Sequence, residues 1–503
     1  MDKSSKEYRV YGAPGCGKTS WIEKTAGACA KKYMGDQVSI CSLTNAAVQE
    51  VASRHIDIPK ENLTTLHARC KRALSAGDPA ESHAKEFMEE NKKWRIGLGG
   101  NVLSRELSLY ERSQILRQQM IPESNWSSPV REFSKAWKQW CTDTGRMDFT
   151  GWLETSLKVR PLPPQQVVFV DEAQDHTPLQ LAVINSWKAR TIVLVGDADQ
   201  SIYEWSGVIP DAFSSNKISE ENERILEQSY RVPREVHRVA TKFIRRVKNR
   251  EERPYHPRDE EGEVKKIGYS LDDTKFSSNL PKGLLEKEDE TYMIISSCAY
   301  MLNPLVDTLM RLRIPFHNPY RKGNHKWNPL EKPFACMNAF MVKDRMWTGD
   351  EASEWAGLIE TKAGFKSRKK KKFLRMCKEL GSLPVKPEDI RNHFTEEYEK
   401  RVMKRDLNVI REAVNGQPWR YALDVYSNDK NTPRLIIGTI HSVKGGESDN
   451  VILFPDLSSA GVREYLGRGA DGIHRLFYVG MTRARESLHL CSRSRSSGAV
   501  NWN

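Results

Sequence analysis

The run Gly12-Ala13-Pro14-Gly15-Cys16-Gly17-Lys18-Thr19, followed by Ser20, has the spacing G-x-x-x-x-G-K-T. Set between a strand and a helix, such a loop turns its backbone N–H groups toward a polyphosphate, and the helix N-terminus adds its positive end. Lys18 then suits the β- and γ-phosphates, and the Thr19 hydroxyl suits Mg²⁺. A β-like run, Tyr8–Tyr11, precedes the loop, and a helical pattern through Trp21, Ile22 and Ala26 follows it. That context makes a chance match in a glycine-rich turn the weaker reading. Cys16 reads as a tolerated small residue.

Two further strand ends carry acids. Val167-Val168-Phe169-Val170 runs into Asp171-Glu172-Ala173-Gln174-Asp175. Transfer of a phosphoryl group to water needs one acid to hold the metal and another to orient or deprotonate the water. Asp171 suits the first task and Glu172 the second. An acidic pair after a strand is often only the start of a solvated loop; the glycine-rich loop in the same chain gives this one its weight. The segment Gly196-Asp197-Ala198-Asp199-Gln200-Ser201-Ile202-Tyr203-Glu204-Trp205 follows another apolar run, Thr191–Val195.

These junctions need buried parallel strands to hold them. Apolar runs at Tyr8–Tyr11, Val38–Leu43, Gln166–Val170 and Thr191–Val195 alternate with helical patterns, one of them from Ala46 to about His55, which reads as a parallel α/β sheet. A second α/β signature starts near Ile225, with strands expected at Tyr292–Ile295, Arg434–Gly438 and Asn450–Leu453. Between them lie charged, mostly helical stretches. The first carries Trp94, Trp126, Trp137, Trp140 and Trp152 and ends at Pro161-Leu162-Pro163-Pro164; the second carries the run Arg368–Lys372. The tryptophans read as core of their helical insertion. The basic run suits duplex phosphates and, equally, a solvated face.

The chain has 503 residues, 38% of them hydrophobic and 29% charged, and a net charge of +13. That length allows two to four domains. No run approaches the roughly 20 apolar residues that span a bilayer, and the polar run Met1–Lys6 reads as carrying no secretory h-region. Nine cysteines are scattered without a C-x-x-C or Cys/His cluster, which points to free thiols, no zinc or iron–sulfur site, and a cytoplasmic location without a membrane partner. The basic balance favours a polyanionic partner.

Taken in order, the runs resemble one family. Asp-Glu-Ala-Gln-Asp at 171–175 and Gly-Asp-Ala-Asp-Gln-Ser-Ile-Tyr at 196–203 are similar to the motor core of superfamily 1 helicases of the UvrD/Rep type. Gln228-Ser229-Tyr230-Arg231, Thr439-Ile440-His441-Ser442-Val443-Lys444-Gly445-Gly446-Glu447 and Phe477-Tyr478-Val479-Gly480-Met481-Thr482-Arg483-Ala484-Arg485-Glu486 resemble the family's motifs IV, V and VI. Leu43–Ala47 and Thr64–His67 are weaker matches. The resemblance implies two RecA-like P-loop NTPase domains, each with a mostly helical insertion and with ATP between them. The first would comprise residues 1–75 and 165–225 around an insertion at 76–164. The second would comprise 226–318 and 418–503 around an insertion at 319–417.

The resemblance also implies roles. Gln200 would sense the γ-phosphate; Arg231 and Arg483 would reach it from the second domain, where a planar guanidinium suits charge spread over phosphoryl oxygens. Tyr230 would stack on adenine and Glu447 would reach the ribose. Tyr203 and Trp205 would stack on bases, with Thr44, Asn45, His67, Thr439 and His441 as further DNA contacts. ATP and Mg²⁺ would drive 3′→5′ movement on single-stranded DNA and at single-strand/duplex junctions. The pattern departs from the family in lacking a glutamine segment ahead of Gly12 and in having Leu43 where an aromatic is usual. It reads as a compact form with no appended nuclease. A translocase that strips proteins without unwinding shares these motifs, and a non-motor ATP switch is the reading from another class.

Overall fold

The computed structural model describes residues 6–42, 57–94, 96, 107–159, 165–248, 250–272, 290–312, 314–321, 327–329, 331–341, 345–413, 433–467, 469–495 and 497–502. Leu43, Thr44, Asn45, the helix expected from Ala46 and the prolines at 161–164 lie outside them. The chain divides into two compact units, one of Met1–Gly268, Ser296–Ala299 and Lys444–Asn503, the other of Tyr269–Ile295 and Tyr300–Val443.

The first unit is built on six parallel strands: β1 (Lys6–Gly12), β2 (Val38–Ser42), β3 (Leu63–Thr65), β4 (Val167–Val170), β5 (Thr191–Gly196) and β6 (Glu223–Leu226). They lie in the order β3-β2-β4-β5-β1-β6. The central strands read as unbroken apolar runs because both faces are covered. The alternation along β4 shows this directly. Val167 and Phe169 meet Ile22, Ala26 and Ala30 of helix α1 (Lys18–Tyr33), which recur every four residues on one helical face. Val168 and Val170 point the other way, into a cluster with Leu66 and Cys70 of α2 (Leu66–Ala73) and with Trp152, Leu179 and Val183.

The tryptophan-bearing helices form a core of their own. Phe87, Tyr110, Phe133, Trp137 and Trp140 pack together, with Trp137 and Trp140 stacked at 5.3 Å. Trp126 is buried as well, while Trp152 faces the sheet's cluster. Beneath the Trp137 ring lies a buried ion pair. Arg117 donates to Asp148 through both terminal nitrogens, at 2.5 and 3.1 Å, and to Glu154 at 2.9 Å. Asp148 also accepts from Trp137 Nε1 at 2.8 Å and from the Gly151 N–H.

Also in the first unit, β7 (Glu263–Ile267) and the later strands Ser448–Leu453 and Ala484–Cys491 run parallel and adjacent. Two helices, Arg234–Ile244 and Ala470–Met481, belong to the same unit. In the second unit the strands at Tyr292–Ser296 and Leu435–Thr439 are neighbours. Its helices close on an aromatic core of Trp347, Trp355, Phe365, Phe373 and Phe394. The basic run begins the helix Lys370–Leu380. Lys370 is tied down, donating to the carbonyls of Gly357 and Ile359, whereas Arg368, Lys371 and Lys372 are exposed. All nine cysteines are free thiols. Among the described residues no helix is long and apolar enough to cross a membrane.

Replacing Asp148 with alanine removes one of the two carboxylates that grip the buried Arg117 and leaves Trp137 Nε1 without its acceptor. We expect a loss of about 3–5 kcal/mol in unfolding free energy, measured by urea denaturation; a midpoint like the wild type's would refute a stabilising role for the pair.

Candidate functional site

The carboxyl ends of β1, β4 and β5 lie side by side, so the three segments singled out from the sequence leave the sheet at one edge. Gly12 ends β1 and Lys18 starts α1, leaving the loop between them. Its turn uses positive φ at Gly15 (78°) and Gly17 (73°), which only glycine adopts at little cost. Gly15 is also crowded: a Cβ there would sit 2.6 Å from Arg231 Cβ. The segment Ser229–Arg231 is docked on this loop. Ser229 Oγ donates to Pro14 O at 2.9 Å, Tyr230 N to Gly15 O at 2.9 Å, and Tyr255 Oη to Pro14 O at 3.1 Å. Lys18 is buried and donates to Gly12 O at 2.8 Å. Thr19 is half-buried and Ser20 exposed.

At the end of β4, Asp171 is buried and its Oδ1 accepts the Glu172 N–H at 2.9 Å. Glu172 has φ 50° and ψ 47°, a left-handed backbone that costs a side-chain-bearing residue about 1–3 kcal/mol and is concentrated at functional sites. Burial works to raise its carboxyl. The charges of Lys18 and Lys444, a hydrogen bond from Gln174 and the charge of Arg483 overcome this and hold it down to about 2. Asp175 behaves oppositely. Burial pushes it up to about 7, with Glu172 adding to the effect, against the pull of Lys444. The Lys444 ammonium pairs with Asp175 and donates to Gln200 O at 2.7 Å.

After β5, Gln200 Nε2 donates to Asp197 Oδ2 at 2.7 Å, and Arg483 reaches Gln200 Oε1 at 3.5 Å. Arg483 is fully buried on carbonyls, donating to Val479 O and Gly446 O. Burial, with the repulsion of Arg231, lowers its guanidinium to about 9. Glu447 binds Arg231 Nε at 2.6 Å and Arg485 at 3.1 Å. Tyr230 is 73% exposed beside Gly17, with its ring open to stacking.

The residues expected at DNA are more dispersed. Trp205 is exposed and meets Tyr203 edge-on at 6.2 Å, while Lys444 Nζ lies 5.1 Å from the Tyr203 ring centre. His67 is half-buried against Phe149, and burial lowers it to about 4, so it is neutral. Thr439 and His441 belong to the second unit, where Thr439 Oγ1 accepts from Ser442 N at 3.2 Å. Gln174, Asp175, Asp197 and Lys444 have contacts at the site for which spacing offered no role. The only sequence signal for Lys444 was its place inside the run Thr439–Glu447.

A buried carboxylate on Asp171 and a hydroxyl on Thr19 at the loop are hard oxygen donors. That set fits Mg²⁺, which takes one or two protein ligands and fills its remaining positions with phosphate oxygens and water.

A parallel sheet with a glycine-rich loop, an acid-tipped neighbouring strand and buried cations on one edge defines a P-loop nucleoside-triphosphate-binding protein of the RecA-like α/β class. Comparison with known proteins narrows this. The AAA domain family matches residues 2–206, and the UvrD-like helicase C-terminal domain family matches 435–491. The chain is 30% identical to ATP-dependent DNA helicase PcrA of Bacillus subtilis over 147 residues, covering 26% of this chain and 19% of the relative. It is 30% identical to a probable DNA helicase II homolog of Mycoplasma pneumoniae over 296 residues, covering 49% of this chain and 41% of the relative. A Mycoplasma capricolum homolog of the same description is 28% identical over 331 residues, covering 56% and 45%. In each case the match spans less than half of the relative's length. Together these matches support a helicase of the UvrD/Rep type in superfamily 1.

Because Asp175 binds its proton more tightly folded than unfolded, its contribution to stability falls as pH rises from its ordinary 3.8 to about 7. We expect Asp175→Asn to flatten the pH dependence of the urea midpoint across that window; an unchanged slope would show that Asp175 does not titrate there.

Proposed function

We propose that this protein is a cytoplasmic, ATP-driven motor that moves 3′→5′ along single-stranded DNA and unwinds duplex at single-strand/duplex junctions. The observation that supports it best is the convergence of Lys18, Glu172, Gln200, Arg231 and Arg483 at the carboxyl edge of one sheet. In this reading Lys18 and the loop amides bind the β- and γ-phosphates, and Glu172 takes the proton of the attacking water. Gln200, Arg231 and Arg483 meet the charge that develops on the transferred group. Arg231 and Glu447 exchange their mutual ion pair for phosphoryl oxygens and ribose, and Tyr230 stacks on adenine. Mg²⁺ held by Thr19 and Asp171 supplies charge neutralisation on the triphosphate.

The motor would consist of two RecA-like domains, residues 1–75 with 165–225 and 226–318 with 418–503, around insertions at 76–164 and 319–417. Trp205 and Tyr203 would supply sequence-tolerant stacking at about 1–3 kcal/mol per base. Thr44, Asn45, His67, Thr439 and His441 are proposed as contacts to the strand.

Steady-state ATP hydrolysis with and without single-stranded DNA is the direct test. We expect strong stimulation by DNA and a fall of about 10²- to 10⁴-fold in kcat for Glu172→Gln. Hydrolysis indifferent to DNA would move the reading to an RNA track or a protein-regulated switch. Duplexes with a single 3′ or 5′ tail then separate unwinding from bare translocation and fix polarity.

A further inference from the structure

Gln174 is a buried glutamine whose two amide ends are both engaged. Its Oε1 accepts the Asp197 N–H at 2.9 Å, and its Nε2 donates to Glu172 Oε2. The orientation is forced. A backbone N–H can only donate and an ionised carboxylate can only accept, so a flipped amide would set like against like at both ends. Ser201 Oγ, donating to Gln174 O at 3.2 Å, holds the same turn from behind.

An independent observation concerns Gly196, the last residue of β5. A Cβ there would sit 2.5 Å from Gln174 Oε1 and 3.1 Å from Gln174 N. The backbone between β5 and Asp197 therefore comes as close to this amide as a glycine allows. The contact continues beyond Asp197: its Oδ2 accepts Gln200 Nε2, and Gln200 Oε1 faces Arg483. A line of contacts thus leads from the Glu172 carboxylate to the Arg483 guanidinium through the side-chain amides of Gln174 and Gln200 and through Asp197, which joins them.

We propose that Gln174 is a positioning residue: it fixes one carboxylate oxygen of Glu172, so that the other is presented to water, and it couples that orientation to the place of Gln200. The inference rests on the reading of Glu172 as general base. A glutamine serves here because it donates to an anion at one end and accepts from a peptide at the other. Leucine does neither. Glutamate keeps the acceptor end but sets a second negative charge against Glu172, unless it is protonated.

The test is ATP turnover at saturating single-stranded DNA across a range of pH. We expect Gln174→Leu to lower kcat about 10- to 100-fold, as loss of orientation does, while KM for ATP stays within about threefold. Gln174→Glu should recover activity as pH falls, where the added acid can donate. Gly196→Ala, which displaces the amide without altering either partner, should reproduce the loss in kcat. A double-mutant cycle with Gln200→Ala should be non-additive. Wild-type kcat in Gln174→Leu overturns the proposal, and so does strict additivity with Gln200→Ala. Glu172→Gln, measured alongside, separates the two levels. Full hydrolysis there removes the general-base reading itself. Loss there beside an unimpaired Gln174→Leu removes only the positioning role.

Discussion

The site depends on the parallel adjacency of β4, β5 and β1 at the centre of one sheet. Parallel strands deliver their carboxyl ends, and whatever follows them, to the same edge. The glycine-rich loop, the pair Asp171–Glu172 and the turn Asp197–Gln200 are therefore brought within reach of each other by backbone pairing alone. The strands are held in that order by burial on both faces. β4 divides its side chains between two apolar clusters, and a one-residue slip would exchange those faces and move Asp171 off the edge.

With the edge in place, electrostatics sets its character. The cations at this edge do not have equivalent partners. Arg231 is paired with Glu447 and Lys444 with Asp175, whereas Arg483 rests on carbonyls and the amide of Gln200. A guanidinium taken out of water and met mainly by dipoles is the costliest charge in the group. Its lowered basicity reports that cost. Glu172 stands at the other extreme, as a half-buried carboxylate surrounded by positive charge and by the Gln174 amide, ionised at any physiological pH. Such a site is preorganised for an anion that spreads charge over several oxygens, because its donors are already oriented and dry.

The left-handed backbone of Glu172 belongs to the same design. It turns the chain sharply after β4, so that Gln174 comes back against Gly196 while Glu172 itself stays among Lys18, Lys444 and Arg483. The strain is stored in a turn that is closed by Ser201, Gln174 and the Lys444–Asp175 pair. The helical segments contribute differently. Their aromatic clusters around Trp137 and around Trp355 are cores of their own, and the second carries exposed surface that includes lysines at the start of the helix Lys370–Leu380.

Much of this was legible in the chain because it is local. A loop of fixed spacing between a strand and a helix, or two acids at the end of an apolar run, needs only neighbouring residues to be recognised, and the runs around Gly12, Asp171 and Gly196 could be named on that basis. The strands at Val167 and Thr191 were equally clear, since a strand buried on both faces must be apolar throughout. Tertiary structure alone decided what lies opposite what. Lys444 meets Asp175 across 269 positions of chain, and Ser229 caps the loop at Pro14 across 215. Glu447, expected at a ribose, pairs with Arg231. Gln174 stands inside a motif, yet its importance lies in Gly196, whose missing side chain makes room for it. Spacing reports what the backbone does over a few residues; charge pairing, desolvation and close approach depend on distances that only the folded chain sets.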